Sequence, residues 1–581
     1  MPEKELSYVS SLKQSGGVNV DVVDYDEDKN LSAWGKFKDS FKRYDDNDLG
    51  IDPNMTDMEK LAVKTANSPL ARTLKSRHLQ MIAIGGAIGT GLFVGSGSKL
   101  STGGPAGVLI GYAIIGSMIY SMCQAMGELS VTFPVAGAFV TYNNRFLDPS
   151  WGFAMSWNYA MNWLVVLPLE LVAASITIQY WNDTINPASL VVIFYVVVIV
   201  INLFGARGYG EAEFIFSIIK VLAVIGFILF GIIVDCGGGP KEGYIGAKYF
   251  YNPGAFSNGF KGVCSVFVAA AFAFAGTELA GLAAAETANP RKSLPRATKQ
   301  VFWRITLFYI ISLLIVGLLV PYNDSRLLDG SSSVDAKASP FVIAIVDAGV
   351  SGLPSVMNVV ILISVLSVGN SSVYGSSRTL AALAASGQAP KFFNYIDKAG
   401  RPIFGIVASC LIGALCFLVA SNKEDTIFTW LQALSGLSSL FTWGSICLCH
   451  IRFRYVLKKN GRDTSELGYT AQTGLWGSYY GFILVILVLI AQFWIALWPL
   501  GGSPNASDFF ENYLSAPIVI FFYICHKIYT KNWRLYIKWQ DIDIDTGRRE
   551  LDLELFKQEI AEEKAVIASK PFYYRIYRFW C

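Results

Sequence analysis

The chain has 581 residues, of which 53% are hydrophobic and only 16% charged, with a formal net charge of +3. A mean hydropathy of +0.42 over this length is too apolar for one soluble core, so a soluble globular domain is excluded and a membrane protein is indicated. The small net charge is spread over both tails and names no partner; no nucleic-acid contact is expected.

Residues 1–75 are polar, carry an acidic cluster at Asp45, Asp46 and Asp48, and contain no apolar signal region. They read as a disordered cytosolic tail with exposed lysines at Lys4, Lys13 and Lys29. Residues 76–530 form the transmembrane domain. About 20 apolar residues cross ~30 Å of hydrocarbon, and twelve stretches qualify: roughly 79–100, 107–133, 152–180, 188–206, 211–234, 262–285, 301–320, 353–384, 403–420, 427–449, 475–498 and 513–530. An amphipathic segment is expected at 340–353, ahead of the eighth span. Residues 531–581 form a second tail, helical over 549–568 and ending in PFYYRIYRFWC. The expected fold is all-α and polytopic, with twelve transmembrane helices.

With both tails cytosolic, the inner loops hold twice as many Lys and Arg as the outer ones, in keeping with the positive-inside rule. The sequons at Asn182, Asn323 and Asn505 fall in outer loops, although Asn54 lies in the inner tail. Most of the nine cysteines lie inside spans, so no disulfide framework is indicated. Cys447 and Cys449 read as small core residues. Cys581, at the terminus beside aromatic residues, is a lipidation candidate that matches no standard lipidation pattern.

Two spans are interrupted near their middle. The first carries GGAIGTG, Gly85 to Gly91, and the second FAGTE, Phe274 to Glu278. A break in lipid leaves N–H and C=O groups unpaired at several kcal/mol each, so it persists only where other groups satisfy the backbone. The bland alternative for the first is close helix packing through glycines four apart, Gly85 with Gly89 or Gly91 with Gly95. A dinucleotide loop fails, because these glycines lie inside an apolar span. The second break shifts the balance. The spans divide as five plus five plus two with a broken helix opening each five, the order of an inverted repeat whose breaks line a binding site.

At the first break the N–H groups of Gly89, Thr90 and Gly91 open a new helix, whose dipole favours an anion such as a carboxylate. At the second, carbonyls of Phe274, Ala275 and Gly276 suit an ammonium. Facing poles of this kind fit a zwitterion such as an α-amino acid. Ionisable residues inside spans are costly and default to functional hypotheses; the census gives Glu128, Glu170, Lys220 and Glu278. Lys220, with no charge close in sequence, either exchanges a proton or stays an ammonium tied to carbonyls of the first broken helix. Glu278 either gates, carries a proton, or caps the second half-helix. Glu170 serves a proton relay or a polar network, and Glu128 a structural role. No metal-spaced cluster, phosphate loop or nucleophile motif is present, so no enzyme is indicated.

The series LKSRHLQMIAIGGAIGTGLFVGSG, STGGPAGVLIGY, MGELSVTFPVAGAF, FAFAGTELAGLAAAETANPRKSLPRA, LSVGNSSVYGSSRTL and DIDIDTGRRE resembles the fungal amino-acid permeases of the amino acid–polyamine–organocation superfamily. The ending FWC looks like that of the general amino-acid permeases. The resemblance implies plasma-membrane import of L-amino acids, driven by protons as the coupling ion and by alternating access, with no other cofactor. It implies carboxylate binding at Thr90 and Gly91, amine binding by carbonyls near Ile88 and Phe274, a gate at Glu278 with Thr277 beside it, and proton coupling at Lys220. Side-chain selection is implied around Ala275, Ser371 and Ser435 to Trp443, which holds no acidic residue and so favours a broad, neutral-accepting pocket. Ubiquitin-ligase machinery acting on Lys4 and Lys13 is implied as well, with membrane lipid and small amino acids as the other partners. The rival readings are an amino-acid sensor with little flux, a narrower permease and an exchanger.

Overall fold

The computed structural model describes residues 32–43, 70, 74–86, 88–135, 137–182, 184–239, 243–287, 290–328, 339–420, 424–546, 548, 562 and 569–571. Lys4, Lys13, Lys29, Cys581 and nearly all of the helix expected at 549–568 lie outside them. One unit, Met1–Lys42, contributes a short helix at Ala33–Asp39. The second unit, Arg43–Cys581, holds everything that follows.

The elements that carry the argument are α1 (Ser76–Gly85), α2 (Thr90–Phe93), α3 (Gly95–Thr132), α4 (Phe139–Phe146), α5 (Pro149–Ile178), α6 (Pro187–Leu203), α7 (Gly205–Ile233), α8 (Gly259–Phe274), α9 (Leu279–Leu282), α10 (Pro290–Trp303), α11 (Ser312–Leu319), α12 (Pro340–Asp347), α13 (Leu353–Ala385), α14 (Ile403–Gly413), α15 (Glu424–Lys459), α16 (Gly474–Leu497) and α17 (Ser515–Thr530). Eight helical runs among the described residues are long and apolar enough to span a membrane, and α6, Ile403–Phe417 and α17 are shorter apolar helices. Among the described residues, the apolar stretches read from the sequence lie mostly on helices, interrupted in the first and sixth. The boundary between the first two lies inside α3, where Gly104 (φ +73°) and Pro105 turn the chain.

Local sequence sets several starts. The Asp148 side chain accepts from Trp151 N–H at 3.1 Å ahead of Pro149, and Asn186 accepts from Ala188 N–H at 2.9 Å ahead of Pro187. Both place a capping oxygen beside otherwise unpaired N–H groups, with proline at the first helical position. The segment before α13 folds as the separate helix α12, whose Phe341 to Ile345 are buried.

The inner helices α5, α8 and α13 are buried along most of their length, and α13 packs along α5 more extensively than any other pair of elements. The outer ones are apolar towards solvent: α6 exposes Val192, Ile193, Val196 and Val200, and α16 exposes Ile483, Leu487 and Ile490. Apolar faces of that extent are tolerated where lipid replaces water. Beyond α17, Ile537 N–H bonds the Leu147 carbonyl at 2.9 Å, and Arg462 pairs with Asp545 at 2.5 Å.

Candidate functional site

Both interruptions are present as breaks in the backbone. The first half-helix α1 ends at Gly85, and the helix restarts at Thr90 after a turn through Ile88 and Gly89. The second ends at Phe274, passes through Ala275, Gly276 and Thr277, and restarts at Leu279. Gly276 has φ +92°, a region open to glycine at no steric cost. The two breaks meet at Gly91, where an added Cβ would lie 2.7 Å from the Ala273 Cα, so only glycine permits the approach.

A broken helix leaves four carbonyls unpaired at its C-terminal end and four N–H groups at its N-terminal end. Distant side chains take up many of them here. Arg304 donates to the Ala83 carbonyl at 3.0 Å, Lys220 to Gly85 at 2.6 Å, Tyr112 to Gly91 at 3.3 Å and Tyr309 to Ala273 at 2.6 Å. The Phe274 carbonyl receives both the hydroxyl and the N–H of Thr277, at 2.6 and 3.3 Å, and the Gly276 carbonyl receives Leu279 N–H at 3.1 Å. Among the described residues, the N–H groups of Gly89, Thr90 and Gly91 and the carbonyls of Gly86, Ile88, Ala275 and Thr277 meet no backbone or side-chain partner. At the second break the Phe274 carbonyl thus accepts twice and the Gly276 carbonyl once, while the Ala275 carbonyl accepts from no described residue.

The Thr90 hydroxyl bonds Glu170 of α5, and both side chains are buried. Glu170 thus stands against the first break, where an added Cβ on Gly89 would lie 3.8 Å from its Oε1. The same Cβ would lie 2.6 Å from Val368, which brings α13 to the break as well. Glu278 accepts from Gly276 N–H and from Trp443 Nε1, each at 3.2 Å, so its carboxyl braces the second break against α15. The Ser371 hydroxyl meets Tyr209 of α7 at 3.1 Å.

The structure corrects the charge census. Glu213, Glu286, Arg304 and Arg378 are all buried. Lys220 is not isolated, for Glu213 stands seven residues earlier on α7, two turns along the same face, with Oε1 3.4 Å from Nζ. That spacing is readable in the sequence and was the available signal. Glu286 and Arg378 pair at 3.0 Å across the end of the second broken helix and α13, and Tyr374 adds its hydroxyl to Glu286 at 2.7 Å. No local pattern marks that pair. Glu128 is fully buried and contacts Arg454 at 2.6 Å, His450 at 3.0 Å and the Ala471 N–H at 2.7 Å, which ties α3 to α15.

Residues 78–538 match the sequence model of a family described as Amino acid permease. The chain belongs to the amino acid permease family. The permease is 66% identical over 589 residues to the General amino-acid permease GAP2 of Candida albicans, covering 100% of both chains. It is 59% identical to the General amino-acid permease GAP1 of Saccharomyces cerevisiae, over 97% of this chain and 94% of that one. Among solved structures, a manganese transporter of Eremococcus coleocola aligns at 16% identity with a TM-score of 0.48, over 78% of this chain and 93% of that one. As a member of this family the permease is a membrane transporter, not an enzyme, and amino-acid import follows from its relatives.

Proposed function

We propose that this permease imports L-amino acids of broad side-chain range across the plasma membrane together with protons, by alternating access of twelve spans in a five-plus-five repeat plus two, with both tails cytosolic. The observation that carries the reading is the unpaired backbone at the breaks: N–H groups at Gly89 and Thr90, carbonyls at Ile88 and Ala275. The substrate carboxylate goes to the donors, with Gly91 lending the close approach, and the amine goes to the acceptors. Thr277 and Glu278 gate the second break. Lys220, touching the Gly85 carbonyl, links proton binding to movement of the first break, and Glu170, on the Thr90 hydroxyl, stands between proton and carboxylate. Ser371 acts on selectivity through Tyr209. The tail lysines Lys4 and Lys13 accept ubiquitin, and Cys581 remains a lipidation candidate.

Uptake of several radiolabelled amino acids into cells lacking their own permeases tests this reading. Accumulation that an uncoupler abolishes is expected. No uptake with the protein at the surface rejects the importer in favour of a sensor, and accumulation that survives the uncoupler favours an exchanger.

A further inference from the structure

Glu213, Ser217 and Lys220 occupy one face of α7 at spacings of four and three residues, which places them one above the other. All three are buried, and so is Ser367 of α13 opposite them. Lys220 Nζ has three N–H donors and three acceptors around it: the Gly85 carbonyl at 2.6 Å, Ser367 Oγ at 2.7 Å and Glu213 Oε1 at 3.4 Å. Ser367, receiving one of those protons, passes its own to Glu213 Oε2 at 2.6 Å. Ser217 lies 3.2 Å from Glu213 Oε1 and 3.1 Å from the Met81 carbonyl. Lysine and carboxylate are therefore joined twice, once directly and once through Ser367. The cluster sits where α1 gives way to the break.

We infer that Glu213 is a positioning residue for transport: with Ser367 it holds the Lys220 ammonium on the Gly85 carbonyl, and so governs the pH range over which uptake is coupled. This deepens the proton-coupled reading and rests on it. A buried ammonium lacks water, and a carboxylate within ~4 Å supplies the compensating charge. Glu213 is the nearest such group. The other charged or titratable groups facing Lys220 are Glu170 of α5 and Arg304 from the π-helical turn Arg304–Ile311, while Tyr209 faces Glu213 from its own helix. Arg304 opposes a charged lysine and Glu170 is engaged by Thr90, so neither replaces Glu213. Ser367 fixes the carboxylate on the side away from Ser217, which holds the ammonium on the line to Gly85.

The test is the pH profile of uptake by the full chain in cells, with surface protein quantified. Glu213→Gln keeps the shape and removes the charge that faces the ammonium. The alkaline limb of the profile should move acidward by about one to three units, the range for loss of a close opposite charge, while uptake at the acid end persists. Glu213→Asp retains the charge at greater distance and should move the limb less. An unshifted profile in Glu213→Gln, with Lys220→Met abolishing concentrative uptake, overturns the role of Glu213 and leaves that of Lys220 standing. Full proton-driven accumulation by Lys220→Met overturns the underlying reading instead. Should Glu213→Gln fail to reach the surface, Glu213→Ala decides, because an unshifted profile there also sinks the inference.

Discussion

The two broken helices of this permease solve one problem in opposite ways. At the second break the chain satisfies most of itself: Thr277 folds back on Phe274, Leu279 on Gly276, and Glu278 takes the Gly276 N–H. At the first break Arg304, Lys220 and Tyr112 come from other helices to the Ala83, Gly85 and Gly91 carbonyls, as Tyr309 alone does for Ala273 at the second. Ile88 N–H shares the Gly85 carbonyl, Leu92 and Phe93 cap Gly89, and the N–H groups of Gly89, Thr90 and Gly91 meet no partner among the described residues. The difference teaches that a break is not a binding site along its whole length. A local cap fixes its own geometry, whereas a cap borrowed from another helix ties the break to that helix's movement. On the proposed function, the first break is the part tied to the movement of other helices through Lys220 and Arg304.

The comparison can be attacked in order of expected effect. Glu286→Gln removes one member of the buried pair with Arg378 and leaves its charge uncompensated, which costs about 3–5 kcal/mol. A large fall in surface level and in the melting temperature of the purified protein is expected, and a wild-type melting curve would break the picture of a firm second region. Gly91→Ala sets a Cβ 2.7 Å from the Ala273 backbone, so the breaks must part. Uptake should be lost for every substrate; a variant that transports normally would show that the approach is dispensable. Thr90→Val keeps the shape and removes the hydroxyl. If the first break binds the carboxylate common to all substrates, KM should rise about tenfold for all alike, the scale of one hydrogen bond to a charged group, and a change confined to one side-chain class would refute it. Thr277→Val removes a local cap only, while the Thr277 N–H still reaches Phe274. A uniform change in KM of about two- to fivefold is expected; a larger effect than that of Thr90→Val would reverse the ranking of the two breaks.

Much of the architecture was legible. Among the described residues the apolar stretches lie mostly on helices, and the interruptions at Gly85–Gly91 and Phe274–Glu278 are breaks in the backbone. Both are local signals, one a matter of length and hydropathy, the other of glycine and hydroxyl residues inside an apolar run. The site was legible only in part. Glu213 could have been found from its spacing to Lys220, since two turns along one helix face need no tertiary knowledge. Glu286 with Arg378 could not, because 92 residues separate partners that only packing brings together. The carbonyl of Phe274 looks free in the sequence and is not, because a threonine hydroxyl three residues on turns back to it.

By itself, then, the sequence determined which stretches are apolar enough to span a membrane, where two of them break and which family the chain resembles, because a break in an apolar span is a local event with a local cost. Which backbone groups stay open at those breaks was decided by tertiary structure. The caps arrive from far along the chain, Lys220 from 135 residues away and Arg304 from 221. A group in hydrocarbon is free only after every neighbour able to pair with it has been placed.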